Sequence, residues 1–459
     1  MPIDILSAIS LSLMAILISD PLYIYDPGFT LSFGSVLGIA LLTPVLKEVL
    51  PFGKSKALSG PVCCLSVSLA ILPVTLYFFY EVPVFSFLLN LVTVPLMTVL
   101  VVSAVLTAAL GLLFLPAGLP GALICHLILT VYEKGCLIIR SLPGNRLIAG
   151  RPGSLQILFY YLLLFLFCLF RKRKGVLFIA LLLPLVVTFR LHSDLTYTML
   201  DIGQGDCNVL DIGGKVMMID CGSTSVKDIG KYRVLPFLKL NGNSRIDVGI
   251  VTHCDLDHIN GFTEIIEGGD ESGIRIKNLI MPGVRNPDDK YLSFLKRARD
   301  AGIRVSFINA GESFRVKDMV FYCLGPERGF ETGDANEYST VLKGSLGPLT
   351  LLFTGDIQGE GEKRMLKHLK AERITVLKVS HHGSRFSTPE EFLKRIKPVY
   401  SLISAGKKNR YGHPHEDLLR RLVDSGSSVL ISRDEGAITV KSNGKTLSVQ
   451  GFLSPNREA

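Results

Sequence analysis

His253-Cys254-Asp255-Leu256-Asp257-His258 decides how the C-terminal half of this 459-residue chain is read. It follows the apolar run Val248 to Val251, so a buried strand would deliver four potential metal ligands onto the loop at its end. In a His-x-Asp-x-Asp-His loop alternate positions can point the same way, while the adjacent final pair, Asp257 and His258, can reach two neighbouring metals. Imidazole with carboxylate suits zinc or manganese, and two ions roughly 3.5 to 4 Å apart can share a hydroxide nucleophile while steadying a leaving oxygen.

Outward from this loop, the chain after Leu195 shows short β-branched runs closed by Gly or Asp: Tyr197 to Asp201, Asn208 to Ile212, Val216 to Ile219, Val248 to Val251, Leu349 to Phe353, Val376 to Val379 and Val399 to Ile403. Helical patterns lie between several of them, at Asp289 to Ala301, Glu360 to Leu369 and Pro389 to Ile396, which predicts an α/β domain. Polar clusters fall just past the strand ends, where such folds build sites. They are Asp201-Ile202-Gly203-Gln204-Gly205-Asp206, Asp220-Cys221-Gly222, Thr354-Gly355-Asp356, Ser380-His381-His382-Gly383-Ser384 and Tyr411-Gly412-His413-Pro414-His415.

Each cluster also has a plainer reading. A lone carboxylate after a glycine is commonly a turn residue, but in this company Asp356 reads as a carboxylate bridging two metals. Side chains of neighbouring residues in extended backbone diverge, so one of His381 and His382 is expected to face the metals and the other to orient it or meet substrate. Ser384 and Ser387 supply turn chemistry beside them. His413 and His415 read equally as surface histidines or as ligands. Asp220 can hold a ligand histidine from behind. Asp201, Gln204 and Asp206 belong either to a tight glycine turn or to the site. No Gly-x-Ser-x-Gly elbow is present, so a metal-activated water is expected rather than a protein nucleophile, with His381 or His382 serving the leaving oxygen.

The other half is of a different composition. Hydrophobic residues make up 48% of the chain, and the excess lies before Arg190. Up to that residue there are 12 Lys and Arg against 6 Asp and Glu, and after it 37 against 34, so the near-neutral C-terminal half does not advertise nucleic acid by bulk charge. The nine cysteines contain no Cys-x-x-Cys pair and read as small hydrophobes. Segments of bilayer-spanning length and apolarity occur near 5–24, 29–46, 61–80, 84–106, 121–141, 155–170 and 176–190, about seven crossings. Pro95 and the long apolar stretch through Leu115 leave the fourth ambiguous between one crossing and a broken or re-entrant pair.

Lys47, Lys54 and Lys56, and the run Arg171-Lys172-Arg173-Lys174, mark the cytoplasmic side; seven crossings then put the N-terminus inside and everything after Arg190 outside. Arg140, Arg146 and Arg151 would lie outside in the same scheme. Asp20-Pro21, Asp26-Pro27-Gly28 and Asn90 are either interfacial turns or polar features lining a cavity, so the spans read equally as tether or conduit. The expected domains are 1–190, a multi-span membrane part, and 191–459, a hydrolase part.

Read in order, the C-terminal loops resemble the metallo-β-lactamase superfamily, whose His-x-His-x-Asp-His loop here carries Asp255 at the second ligand position. With Leu200 to Asp206, Leu377 to Ser384 and Asn409 to Pro414, and with Asp20-Pro21 followed by Asp26 to Gly34 in the membrane part, the whole chain resembles the ComEC family of DNA-internalisation proteins. The resemblance implies a polytopic α-helical membrane domain followed by a metallo-β-lactamase-like αβ/βα sandwich with its site along one edge. It implies passage of single-stranded DNA through the cytoplasmic membrane in natural transformation, and a divalent-metal nuclease or phosphodiesterase, zinc or manganese with two ions, on the outer face. A competence DNA receptor, a cytoplasmic translocase and further copies of the chain are the partners such a role implies, besides DNA and the bilayer. The alternative is a membrane-tethered hydrolase of a small phosphodiester or envelope substrate.

By the same resemblance His253, Asp255, Asp257 and His258 are first-loop metal ligands, Asp356 bridges, and His413 is the last ligand. His381 and His382, with Asp257, take catalytic roles; one of the two histidines as last ligand instead is the alternative. Asp201, Gln204, Asp206, Asp220 and Ser384 support ligands or face substrate. The superfamily's middle histidine has no match, and Asn336, Glu337 and Ser339 occupy its place. The chain opens directly into an apolar segment near Ile5, where the family has further spans and an OB-like domain. It is therefore expected to be truncated, split or degenerate.

Overall fold

At Leu195 exposed apolar helices give way to short, largely buried strands in the computed structural model, which describes residues 4–50, 55, 58–172 and 176–454. Two compact units result: Met1–Phe189 with Lys239–Gly242, and Arg190–Leu238 with Asn243–Ala459.

The first unit contains helices α1 (Ile5–Ser19), α2 (Pro27–Val49), α3 (Ser59–Phe79), α4 (Ser86–Leu113), α5 (Leu115–Ser141), α6 (Ser154–Leu169) and α7 (Val176–Thr188). Asp26 caps α2 by accepting from the Phe29 N–H at 2.7 Å, with Pro27 at the first helical position, so the Asp-Pro element is a helix start. The Asp20-Pro21 pair caps a short 3-10 turn in the same way. α4 runs through Pro95 as one helix, so the fourth segment is not broken at that proline. By length and composition α2, α3, α4 and α5 can cross a bilayer, while α1, α6 and α7 are shorter than the roughly 20 residues a crossing needs. Among the described residues, that is four of the seven crossings read from the sequence. Small residues let neighbouring helices close up: Gly38 faces Ser66 and Ala70, and Gly118 and Gly121 face Thr107. Lys54, Lys56, Arg173 and Lys174 lie outside the described residues.

The second unit is built on two sheets. One has eight strands in the spatial order Arg304–Ile308, Asn278–Pro282, Val248–Ile250, Lys215–Cys221, Cys207–Ile212, Leu195–Met199, Ile438–Ser442 and Leu447–Gly451. The other has seven: Ser313–Val316, Met319–Gly325, Val341–Leu346, Leu349–Phe353, Val376–Lys378, Tyr400–Ile403 and Ser428–Ile431. Their inner faces share one core, with Tyr197, Met217 and Ile250 from the first sheet and Phe321, Leu351 and Leu402 from the second. A further apolar layer, including Met365, Phe392 and Leu418, covers the outer face of the second sheet with helices Gly359–His368, Glu390–Ile396 and Glu416–Asp424. Each sheet has a parallel half, and parallel neighbours end on the same edge. The loops leaving those ends carry the polar clusters.

Candidate metal centre

The loop after Val248–Ile250 turns at once into the helix Leu256–Ser272, so Asp257 and His258 occupy its first turn and are aimed by it. His253 and His258 are wholly buried, with ring centroids 4.1 Å apart. Asp220, at the end of Lys215–Cys221, organises this loop from behind. Its Oδ1 accepts from the Thr252 N–H at 2.8 Å, and its Oδ2 accepts from the Thr252 hydroxyl at 2.8 Å and meets His258 Nδ1 at 2.9 Å. To do so it takes a left-handed backbone, φ 56°, a conformation Asp tolerates better than most residues. The Nδ1 bond leaves the lone pair on His258 Nε2 facing inward.

Asp356 sits at the crossing point. Its Oδ2 lies 3.3 Å from His258 Nε2, 3.3 Å from His382 Nε2 and 3.9 Å from His381 Nε2. His382 Nδ1 is bonded to the Ser404 carbonyl at 3.0 Å, so the tautomer is fixed and Nε2 points at Asp356 and, at 3.5 Å, at Asp257. The backbone at this point is not extended: His381 and His382 both lie in the left-handed region, at φ 49° and 52°. His382 is the one buried in the cluster, while His381 stands at its rim, with Nδ1 2.9 Å from the Gln358 amide oxygen and Nε2 toward Asp356 at the longer distance.

Ligand atoms of His253, His258 and Asp356 lie within 4.8 Å of one another, as do those of Asp257, His258 and His382, and those of Asp206, Asp356 and His382. His253 Nε2, His258 Nε2, His382 Nε2 and Asp356 Oδ1 are buried with no hydrogen-bond partner. Buried polar atoms left unpaired are costly, and four converging on one point fit a cation. The electrostatics agree. Burial and the neighbouring His258 push the His253 imidazole down to about 4. Burial also opposes charge on His382, but the carboxylates of Asp356 and Asp206 outweigh it and hold that ring up to about 10. Burial alone would raise Asp257 and Asp356; the facing histidines bring both well below the usual carboxylate range.

The other predicted residues sit elsewhere. Asp255 turns outward, its Oδ1 accepting from Lys290 Nζ at 2.6 Å, with Oδ2 still 3.8 Å from His253 Nε2. His413 stands further out, its ring 5.6 Å from His381 and 6.5 Å from His382. Asp201 accepts from the Gly203 N–H as a turn residue, Gln204 accepts from the Gly406 N–H, and the Ser384 hydroxyl accepts from the Phe386 N–H. Of the candidates for the missing histidine, Ser339 is the one at the site: its hydroxyl is 3.3 Å from His253 Nδ1 and accepts from the Asp356 N–H. Glu337 is drawn away to Thr332 and the Glu360 N–H. Sequence reasoning missed Lys378. This wholly buried lysine pairs with the wholly buried Asp206 directly behind the cluster. A lysine inside the apolar run Val376 to Val379 was the available signal.

A two-sheet α/β unit with this loop and these buried candidate ligands is a domain of the metallo-β-lactamase type. Residues 200–407 match the family model "Metallo-beta-lactamase superfamily", and residues 1–174 match "Competence protein". The chain is 29% identical to ComE operon protein 3 of Bacillus subtilis, over 94% of this chain and 57% of that protein. It is 26% identical to competence protein ComA of Neisseria gonorrhoeae, over 93% and 57% respectively. YhfI of Bacillus subtilis, described as a metallo-beta-lactamase fold protein, superposes with a TM-score of 0.37 at 12% identity, covering 54% of this chain and all of that one. The chain thus carries a segment that matches the competence model ahead of one that matches the metallo-β-lactamase model, is similar to these competence proteins over most of its own length, and spans a little over half of theirs.

Proposed function

We propose that this protein serves the passage of single-stranded DNA across the cytoplasmic membrane in natural transformation, and that its C-terminal unit is a divalent-metal phosphodiesterase acting on that DNA at the outer face. The observation that carries the reading is the convergence of unpartnered, buried His and Asp atoms in a chain whose other half matches the competence model. Asp257, His258, Asp356 and His382 would hold one ion, with His382 rather than His413 as last ligand. His253, the second oxygen of Asp356 and the Ser339 hydroxyl offer a poorer second place. An ion there, zinc or manganese by its donors, supplies a water of lowered pKa and positive charge against phosphate oxygens. Asp220 and the Ser404 carbonyl keep the two imidazoles in the tautomer that leaves Nε2 free. His381, oriented by Gln358 and partly open to solvent, is placed to pass a proton to the leaving oxygen.

The full-length protein in detergent, stripped with EDTA and reloaded with manganese or zinc, is expected to degrade linear DNA, and Asp257→Ala to abolish this. Turnover of a small aryl phosphodiester without DNA hydrolysis, together with normal transformation in a deletion strain, would replace this reading with a tethered small-substrate hydrolase.

A further inference from the structure

Two loops at the mouth of the metal cluster carry side chains that the hydrolytic chemistry does not use. One follows the second histidine, with Arg385 and Phe386; the other leads to His413, with Lys407, Lys408, Arg410 and Tyr411. Phe386 is 75% exposed and Tyr411 43%. Each carries a guanidinium: Arg410 lies 4.9 Å over the Tyr411 ring and donates to its hydroxyl at 2.7 Å, and Arg385 lies 5.8 Å from the Phe386 centroid. The loops are tied together, since the Arg385 N–H donates to His415 Nδ1 and the His415 N–H to the Gly383 carbonyl. Among the described residues none of the four cations has a carboxylate within ion-pair distance, and neither 383–388 nor 406–413 contains an acidic residue.

The rings also lead inward. Tyr411 stacks on His413 with centroids 5.6 Å apart and planes 23° from parallel; His413 meets His381 edge-on at 5.6 Å, and His381 faces Asp356. An exposed flat ring flanked by unpaired cations is the surface that takes an unpaired base and its phosphate, because every base has a face to stack while duplex bases keep theirs covered.

We infer that Tyr411 and Phe386, with Arg385, Lys407, Lys408 and Arg410, form a stacking platform that feeds single-stranded nucleic acid to the metal centre and makes the site prefer single strands over duplex. The inference deepens the proposed DNA phosphodiesterase reading, naming the strand form and the residues that select it. Its test is binding without cleavage. Full-length protein in detergent with EDTA is titrated into three fluorescein-labelled probes, a thymidine oligonucleotide, an abasic oligonucleotide of the same length and a duplex, and anisotropy is read. Tyr411→Ala and Phe386→Ala are each expected to weaken the thymidine strand about tenfold while leaving the abasic strand and the duplex as in wild type. Tyr411→Phe, which keeps the ring, is expected to bind as wild type and guards against a folding defect. Alanine variants that bind the thymidine strand like wild type, or lose all three probes equally, overturn the platform. Binding is read apart from turnover, so a protein that binds in this pattern without cutting DNA keeps the platform and loses the phosphodiesterase reading.

Discussion

Asp220 stands behind His258, on the side away from Asp356, and the geometry of that imidazole depends on it. It accepts from the Thr252 N–H and hydroxyl and holds His258 Nδ1, so the carboxylate must stay an acceptor on both oxygens. Asp220→Asn keeps the volume but puts an amide donor on one side of that network. It is expected to weaken manganese or zinc about 10- to 100-fold in competition with a chromogenic chelator. The same assay separates the two candidates for last ligand: His382→Ala should lose the tight ion, while His413→Ala should retain it. If His413→Ala loses the ion and His382→Ala keeps it, His413 is the last ligand and the assignment to His382 falls. The sequence could list His381, His382 and His413 but not choose among them, because the choice is made by left-handed backbone at 381 and 382 and by the Ser404 carbonyl, a long-range contact. Lys378 was hidden for the opposite reason. An apolar run predicts burial of the strand, and only the facing Asp206 explains how a lysine survives there.

At the scale of elements, the site depends on a close fit between loop and helix. A Cβ on Gly222 would stand 2.3 Å from the Asp257 carbonyl carbon and 2.3 Å from the His258 nitrogen, both backbone atoms of the ligand-bearing helix start. Gly222→Ala therefore cannot be absorbed by a rotamer change. It should cost at least roughly 1–3 kcal/mol in thermal unfolding and lower metal affinity with it; an unchanged melting temperature would refute that fit. The helix Gly359–His368 carries a second test. Glu362 is buried, and burial raises its carboxyl to about 7 from 4.5, even though the Thr388 N–H and Arg421 favour its charged form. The folded state then holds a proton that the unfolded chain releases, so the stability this group contributes is full below 4.5 and is lost as pH rises through 7. The size is roughly 3 kcal/mol by linkage. Glu362→Gln should flatten the fall in melting temperature between about pH 5 and about pH 8, and an unaltered slope would remove Glu362 as its source. Strands read from apolar runs closed by Gly or Asp are all present. Ile438–Ser442 and Leu447–Gly451 escape the sequence reading because their polar and apolar residues mix and their pairing is supplied by distant strands, while Met319–Gly325 is itself an apolar run closed by Gly that the reading passed over.

For the whole molecule, the proposed outer-face location rests on counting hairpins rather than helices. Lys47 closes α2 and, by the positive-inside rule, would lie in the cytoplasm. α3, long enough to span, would then carry the chain outward. α4 and α5 are joined through Phe114 alone, with Leu112, Leu113, Phe114 and Leu115 all exposed, so the turn has no polar residue to anchor it at a surface. Whether this pair crosses fully or dips and returns, it contributes an even number of crossings. α6 and α7, each short, pair through Gln156, whose amide donates to the Val186 and Phe189 carbonyls, and they too cross together or not at all. The side on which residue 190 emerges thus depends on Lys47 and α3 and not on the lengths of α1, α6 and α7. Thiol labelling tests this in a Cys136→Ser background, since Cys136 is exposed while Cys207, Cys221, Cys254 and Cys323 are all buried. In intact spheroplasts a membrane-impermeant maleimide should label Asp424→Cys at once. Lys172→Cys, between α6 and α7, should react immediately as well if that pair dips from outside, and only after permeabilisation if it crosses. Labelling of Asp424→Cys only after permeabilisation would put the metal centre in the cytoplasm, where it could meet DNA only after entry, and the outer-face proposal would fall.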